Sequence, residues 1–228
     1  MNERHRKKQL DAVHYVLALP KSIWYNFRLL PLRQACKLPL LVSHRTKMIN
    51  LSGKLDLQAS ELKVGLVKIG FNTYQGTDFR YDRTRINLRG TTLVHGACAI
   101  GAGSSIEVTE NGTLRLGNHF NLGPKSLIIC NKEISFGEDV QTSWNCTLMD
   151  TDQHDLVDHQ GNVTNNDRPI HLGDNVWIGC HSILTKGTTL ASNTTVGAGS
   201  VVHGVHEESC VVLAGNPATI VKSGVKRR

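Results

Sequence analysis

The sequence has few aromatic residues, few prolines and no closely paired cysteines. Aromatic side chains make up 5% of the 228 residues and there are 6 prolines, whereas glycine occurs 21 times. This composition argues against a core of large rings and favours repeated tight turns. The length fits one large domain, or one domain with an appendage.

The cysteines are scattered along the chain. No C-x-x-C pair occurs among the 6 cysteines, so neither a zinc ribbon nor a thioredoxin-type motif is supported. Scattered thiols favour a reducing compartment, and we therefore expect a cytoplasmic protein.

Long apolar runs are also missing. None approaches the ~18 residues of a membrane-spanning helix. Residues 12–19 form an apolar stretch after a charged start, but this stretch is short, contains His14 and lacks a convincing cleavage site. A signal peptide is therefore not predicted.

Positive charge is concentrated at one end. Residues 1–47 hold ten Lys or Arg against Glu3 and Asp11, a net charge of +8, whereas the remaining residues hold sixteen basic and seventeen acidic side chains. The basic character thus belongs to an N-terminal segment. Nucleic-acid binding needs basic residues interleaved with stacking aromatics on a folded surface, and RTKMINLSGKLDLQ (45–58) lacks that pattern. No nucleic-acid partner is expected.

An aliphatic residue recurs at every sixth position of the C-terminal half. The frame runs through Leu172, Ile178, Leu184, Leu190, Val196 and Val202. The residues four places after the frame are mostly small, namely Val176, Ser182, Thr188, Thr194 and Ser200. The frame continues upstream, where extra residues interrupt the period of six twice; we call these interruptions slips of the frame. Its upstream members are Leu88, Val94, Ile100, Ile106, Leu116, Leu122, Ile128, Phe136, Thr142 and Leu148.

A period of six predicts an all-β solenoid. Three six-residue faces close one triangular coil, with the aliphatic residues pointing inward and the small residues near the corners. Gly173, Gly179 and Gly197 directly follow frame residues, and glycine allows the positive φ of a tight turn. An ordinary β-sandwich is disfavoured because its strands alternate with a period of two.

Three segments follow from these patterns. Residues 1–48 form a basic helical segment, with short helices QLDAVHYVLAL and SIWYNFRLL ended by Pro20 and Pro31. These helices either cap the first coil or lie on a membrane surface. Residues 49–215 form the solenoid, irregular over 49–87 and with an external loop at 154–170, and residues 216–228 form a tail.

The motifs LGDNVWIG, GAGSVV and AGNPA occur in this order near the C-terminus. With their spacing, the chain over about residues 85–222 resembles the hexapeptide-repeat acyltransferase family, whose members fold as left-handed parallel β-helices. It is particularly similar to sugar O-acetyltransferases, such as the maltose and galactoside acetyltransferases, and to polysaccharide O-acetyltransferases. The resemblance implies acetyl-CoA as co-substrate, a saccharide acceptor and a homotrimer with sites between neighbouring chains.

The resemblance also implies a catalytic histidine. The family's histidine lies just before an external loop, and His154 in DTDQHDL matches it. A base is needed because an alcohol is a poor nucleophile at neutral pH, and imidazole can take up a proton there. Asp152 is the first candidate to orient the imidazole, and a neighbouring carboxylate or a backbone carbonyl is the alternative.

Acetyl-CoA is expected along the C-terminal coils. Cys180 after NVWIG matches a position whose backbone N–H faces the thioester carbonyl, and Ala198 matches a contact along the pantetheine arm. This chain has His203 and Gly204 where many members have Thr-Lys, and Thr219 where others have a basic residue. Lys222 matches a distal basic position that meets the nucleotide phosphates.

The acceptor residues are assigned more loosely. Asn121 in NHFNLG is a candidate for sugar binding, with His119 as an equal alternative. Trp177 occupies an outward-facing slot, where an exposed tryptophan normally contacts another subunit or a flat ligand.

The sequence therefore predicts an acetyl-CoA-dependent O-acetyltransferase that acts on a sugar hydroxyl of a saccharide or polysaccharide precursor. The alternatives are N-acetylation of an amino sugar, a metal-dependent lyase like the γ-class carbonic anhydrases, and a non-catalytic scaffold. No metal is expected. An EF-hand loop that began at Asp150 of DTDQHDLVDH would need glycine at its sixth position and glutamate at its twelfth, where this chain has Asp155 and Gly161.

Overall fold

A computed structural model describes residues 3–74, 76–78 and 81–228, with side chains from residue 13 onward. Over these residues the chain forms helices α1 (Glu3–Leu29) and α2 (Leu32–Ala35), followed by short strands. The strands, β1 to β23 in chain order, are Leu40–Val42, Lys47–Asn50, Lys54–Leu57, Val67–Asn72, Arg85–Leu88, Thr91–Val94, Cys98–Gly101, Ser105–Val108, Thr113–Leu116, Phe120–Leu122, Leu127–Cys130, Glu133–Phe136, Gln141–Thr142, Thr147–Met149, Ile170–Leu172, Trp177–Ile178, Ile183–Leu184, Thr189–Leu190, Thr195–Val196, Val201–Val202, Val205–His206, Val211–Gly215 and Ala218–Ser223.

The strands stack into three sheets that form the sides of a prism. Sheet A has the order β1-β4-β7-β10-β13-β16-β19-β22-β23, sheet B the order β2-β5-β8-β11-β14-β17-β20, and sheet C the order β21-β18-β15-β12-β9-β6-β3. Every third strand is a parallel neighbour; for example, Ile178 pairs with Val196, one 18-residue coil later. The predicted β-solenoid is confirmed.

The core follows the six-residue frame. All the predicted frame residues, from Leu88 to Val202, are buried. In the C-terminal coils the hydroxyl groups four places after the frame are buried as well, and they donate to turn carbonyls, as Thr188 Oγ1 does to Thr185 O (2.7 Å) and Ser200 Oγ to Gly197 O (2.7 Å). Serine and threonine therefore fit these C-terminal corners because the hydroxyls of Ser182, Thr188, Thr194 and Ser200 each find an acceptor there.

The glycines after the frame have a different role from the one predicted. Positive φ occurs three places after the frame, for example at Asn175 (φ 54) and Asn193 (φ 62), and Gly173, Gly179 and Gly197 have no positive φ. A Cβ on Gly179 would lie 2.6 Å from the backbone nitrogen of Ala198. Glycine is required at Gly179 because the next coil approaches too closely for a side chain.

The predicted segment boundaries are also corrected. Helix α1 continues through Pro20 instead of ending there. The solenoid begins at β1, before residue 49, because Leu40–Val42 pairs with Val67–Ile69. At the other end, β23 pairs with β22 in an antiparallel arrangement, so the tail extends sheet A. The early coils do show the expected irregularity, with register shifts at Met48/Asn50 and Ile69/Asn72.

Helix α1 covers the open edge of sheet A. Asn26 accepts from the Leu40 N–H (3.0 Å) and donates to the Leu40 carbonyl (2.7 Å). Ser22 Oγ accepts from the Val42 N–H (2.9 Å). The helix thus satisfies the backbone groups that an edge strand would otherwise leave unpaired, and it does so through Ser22 and Asn26.

Candidate active site

A polar pocket lies beside the corner between sheets B and C. It has a volume of about 460 Å³. Ile129 is the sole aliphatic residue among the described residues that line it; the others are Arg89, Glu107, Thr109, Asn131, Thr151, Gln153, His154, Asp155, Asn165, Asn166 and Asp167. A lining of this kind suits a ligand covered with hydroxyl groups better than an apolar one.

Three consecutive coils supply the floor of the pocket. Arg89, Thr109 and Asn131 each directly follow a strand of sheet B, so the parallel coils stack their side chains along one corner. Thr109 Oγ1 donates to Asn131 Oδ1 (2.7 Å), and the Arg89 guanidinium lies 3.3 Å from the carboxylate of Glu107. These contacts hold the polar groups in place.

Residues 150–169 leave the solenoid at this corner and form the pocket wall. Asp150 anchors the loop from inside, because its buried carboxylate accepts from the N–H groups of Asn131 (2.7 Å), Lys132 (2.8 Å) and Glu133 (2.7 Å). Burial raises the pKa of Asp150 above its ordinary value, although the three N–H donors oppose that shift. Asp167 accepts a further bond from the Asn131 side chain and ties down the end of the loop.

His154 lies on the exposed rim of the pocket. Its backbone carbonyl accepts from Asn165 Nδ2 (2.8 Å), so one loop residue fixes its position. Within the described residues, the imidazole has no hydrogen-bond partner. Both ring nitrogens are therefore available to a ligand.

The predicted pairing of Asp152 with His154 is not seen. Asp152 Oδ2 instead accepts from Lys186 Nζ (2.6 Å) and from Asn165 Nδ2 (2.8 Å). Lys186 belongs to the next coil and also donates to the Asn165 carbonyl. Asp152 thus acts as a positioning residue, which fastens the loop to the solenoid.

This fastening should respond to pH. The hydrogen bond from Lys186, followed by that from Asn165, lowers the pKa of Asp152. The ion pair is therefore complete above the ordinary pKa of about 4 and is lost as the pH falls through the lower folded value. In hydrogen-exchange measurements we expect the Leu156 and Thr164 amides to stay protected at pH 5 and to lose protection only when the pH falls well below the ordinary carboxyl pKa of about 4.

Two variants test whether the protection of these amides depends on the Asp152–Lys186 ion pair or on a general effect of acid on the protein. Lys186→Met should lower the protection of the same amides about 10-fold already at pH 7. Lys226→Met replaces an exposed lysine that makes no hydrogen bond or ion pair within the described residues, and it should leave protection unchanged. Equal losses in the two variants would contradict a specific role for the Asp152–Lys186 pair.

The predicted acetyl-CoA residues fall into three groups. Cys180 and Ala198 lie one coil apart at the corner between sheets A and B, where the Gly199 N–H donates to the Cys180 carbonyl (2.8 Å). His203 and Gly204 lie at the corner between sheets B and C, where the Gly204 carbonyl accepts from Thr189.

Thr219 and Lys222 form the third group of predicted acetyl-CoA residues. Both are exposed on β23, opposite Ala214 and Val212. One chain therefore does not bring the predicted acetyl-CoA residues together at a single corner.

Free backbone donors mark the A/B corner. In the part of the chain that the structure describes, the N–H groups of Trp144, Cys180 and Ala198 donate to no protein acceptor. Because these residues occupy equivalent positions in successive coils, they present a row of unused donors.

The predicted acceptor residues lie on the far side of the prism. Asn121 and Trp177 are on sheet A, which faces away from the B/C corner, and each pairs with Gln141 between them. Asn121 Oδ1 accepts from Asn72 (2.8 Å), and the Trp177 indole N–H donates to Ser143 Oγ (3.2 Å). Within one chain they are not part of the pocket at His154.

Several pocket residues were not predicted from the sequence. Arg89, Thr109 and Asn131 occupy one corner, but the slips of the frame place them 20 and 22 residues apart and hide the repeat. Aligning the coils by their strands would have found them. Asp167 carries no comparable signal, because it reaches Asn131 across the loop.

The thiols, imidazoles and carboxylates of the described residues do not form a metal site. In the described ranges, no group of three or more His, Cys, Asp or Glu side chains is arranged to hold a metal ion. Burial raises the pKa of Cys98 and of Cys130 to about 12, so these thiols are poor nucleophiles.

The three-sheet prism of six-residue repeats and the pocket beneath its extruded loop define a left-handed β-helix of the hexapeptide type. The family model described as bacterial transferase hexapeptide (six repeats) matches residues 169–204. An uncharacterized 24.8 kDa protein in the cps region of Klebsiella pneumoniae is 29% identical over 199 residues, which cover 87% of this chain and 86% of that protein. Through these repeats the chain is similar to the hexapeptide-repeat acyltransferases, which is consistent with an acyltransferase.

Two further similarities agree with this assignment. The galactoside O-acetyltransferase of Escherichia coli (strain K12) is 29% identical over 109 residues, covering 48% of this chain and 53% of that enzyme. The crystal structure of the polySia-specific acetyltransferase NeuO aligns with a TM-score of 0.59 at 18% identity, covering 83% of this chain and 77% of that one, which supports the fold.

Proposed function

We propose that this protein is an acetyl-CoA-dependent O-acetyltransferase that acts on a sugar hydroxyl of a saccharide or polysaccharide precursor. The observation that carries the proposal is the position of His154 on the rim of a pocket lined almost entirely by polar side chains. The sugar-directed name of the Escherichia coli relative supports this class of acceptor.

The pocket binds the sugar in this proposal, and His154 transfers the proton. Side chains such as Arg89, Glu107 and Asn131 offer donors and acceptors that complement sugar hydroxyls. His154 takes the proton from the attacking hydroxyl, a role worth about 10²–10⁴ in rate. The sugar oxygen then forms a bond to the acetyl carbonyl carbon, the C–S bond of the thioester breaks, and the CoA sulfur leaves with the proton that His154 returns. Transfer is direct in this proposal, because a base that activates the sugar hydroxyl makes a covalent acetyl-enzyme unnecessary.

The row of free N–H groups is the proposed site of acetyl-CoA. Cys180 and Ala198 have unused donors at the A/B corner. Fixed N–H donors of this kind stabilise negative charge that develops on a carbonyl oxygen during acyl transfer. Exposed Lys222 is the proposed contact for the phosphates.

The complete site lies between chains in this proposal. His154 and the acetyl-CoA corner are on different corners of one prism, so a neighbouring chain must bring the second corner to the first. Trp177, with 42% of its surface exposed on the outer face of sheet A, supports such a contact. We propose a homotrimer, the simplest cyclic assembly with one site per pair of neighbours.

We also propose a cytoplasmic location at the inner membrane surface. All 6 cysteines are free thiols, as a reducing compartment favours. Within the described residues, no helix has both the length and the apolarity of a membrane span.

Acetyl-CoA binding tests the proposal without knowledge of the sugar. Calorimetric titration of the full chain should give saturable binding of about one acetyl-CoA per chain, with free acetate as the control ligand. Ala198→Glu should weaken binding about 10-fold by placing a carboxylate at the proposed corner. Ala191→Glu, at the C/A corner, should not. Absence of binding at about 1 mM acetyl-CoA would overturn the proposal.

A further inference from the structure

Helix α1 has two faces of opposite character. Its inner face packs on the solenoid through buried Ala18, Ser22 and Asn26. Its outer face exposes the apolar residues Val13, Val16, Leu17, Leu19, Ile23, Trp24 and Phe27. At 100° per residue, these seven side chains and Pro20 fall on the half of the helix opposite Ala18.

This outer face is unusually apolar for a surface helix. Trp24 is 64% exposed and Val16 is 65% exposed. Over residues 13–27, Lys21 is the one charged residue, and it points toward the solenoid, where its Nζ donates to the carbonyls of His44 (2.8 Å) and Thr46 (2.6 Å). A surface helix normally turns its polar face outward, so an apolar outer face indicates a docking surface.

A basic cavity lies between the inner flank of the helix and the first coils of the solenoid. It has a volume of about 600 Å³ and is lined by Lys21, Tyr25, His44, Arg45, Thr46, Lys47, Met48 and Arg83. No carboxylate is among these described lining residues. The cavity therefore suits an anionic group, such as a phosphate.

We propose that the outer face of α1 docks on a membrane surface that contains anionic phospholipids. A bilayer supplies hydrocarbon for the apolar face, and its anionic headgroups attract the basic N-terminal segment, to which the cavity residues Lys21, Arg45 and Lys47 belong. A second copy of the chain fits less well, because residues 1–47 carry a net charge of +8 and two such segments would repel. This inference does not depend on the proposed acetyl transfer.

The shape of α1 agrees with docking along the surface. Its 27 residues span about 40 Å. In the described part of the chain, no helix meets the requirements for crossing a bilayer. The helix would lie in the plane of the interface, with the β-helix on the water side.

Co-sedimentation with vesicles tests the proposal on the full chain. Binding is expected to vesicles of mixed phosphatidylglycerol and phosphatidylcholine, and it should weaken at least ~5-fold on pure phosphatidylcholine or in about 0.5 M NaCl. Trp24→Gln/Phe27→Gln should weaken binding at least ~10-fold. Val64→Gln/Val205→Gln, which changes side chains with 72% and 63% exposure elsewhere on the surface, should have no effect.

A charge variant covers the case in which the aromatic variant fails to fold. Lys47→Glu/Arg83→Glu should also reduce binding to the anionic vesicles, with circular dichroism confirming the fold of each variant. Wild-type protein that stays in the supernatant with anionic vesicles would overturn the proposal. A change of molecular mass in light scattering on Trp24→Gln/Phe27→Gln, with vesicle binding intact, would also overturn it in favour of self-association.

Discussion

His154→Ala is expected to lower kcat by about 10²–10⁴ while leaving acetyl-CoA binding intact. The imidazole lies on the rim of the polar pocket, away from the free N–H groups of Cys180 and Ala198. Its loss therefore removes the base without disturbing the proposed acetyl-CoA corner. Release of free CoA thiol in the presence of a sugar acceptor measures kcat, and calorimetry measures binding.

The second histidine of the loop is the matched control. His159 is exposed in the same loop but does not line the pocket. His159→Ala should retain activity within about 3-fold. Equal losses in both variants would show that the loop, and not the imidazole of His154, limits the rate. Full activity in His154→Ala would remove His154 from the mechanism.

Asp150→Ala is expected to destabilise the protein by about 3–5 kcal/mol. The carboxylate of Asp150 accepts three backbone N–H bonds at the turn between β11 and β12, and alanine would leave all three donors unpaired. The loop that starts at Asp150 should detach as well, so kcat should fall with stability. Denaturant unfolding of wild type and variant measures the free-energy difference.

Two comparisons make this prediction specific. Asp150→Asn keeps one oxygen but turns an NH₂ group toward N–H donors, so it should also destabilise, by about 2–4 kcal/mol. Glu207→Ala changes an exposed carboxylate that has no hydrogen-bond or ion-pair partner in the part of the chain that the structure describes, and it should stay within about 0.5 kcal/mol of wild type. A loss below about 1 kcal/mol in Asp150→Ala would mean that water replaces the carboxylate at the turn.

The roles of two neighbouring carboxylates, Asp150 and Asp152, could not be predicted from the sequence. Asp150 and Asp152 are two residues apart in DTDQHDL, and both were near enough in sequence to orient His154. The structure buries the first against the N–H groups of Asn131, Lys132 and Glu133, and pairs the second with Lys186, 34 residues later. Neither partner is signalled by local sequence, because each comes from another coil.

The glycines illustrate the same limit. The frame correctly located Gly179, yet its role depends on the distance to Ala198 in the next coil and not on its own φ. Helix α1 gives a third case. Its proline predicted a break, but Ser22 and Asn26 bind the edge of sheet A beyond Pro20, and the helix continues.

The sequence by itself determined the repeat, the burial of the frame residues from Leu88 to Val202 and the position of the external loop. A period of six is a local property repeated in every coil, so short stretches reveal it. Tertiary structure alone decided which corner each residue occupies, that Arg89 and Asn131 join His154 in one pocket, and that Cys180 lies at a different corner. Stacking sets these neighbours, since parallel pairing brings together residues about one coil apart, and slips in the frame change that interval.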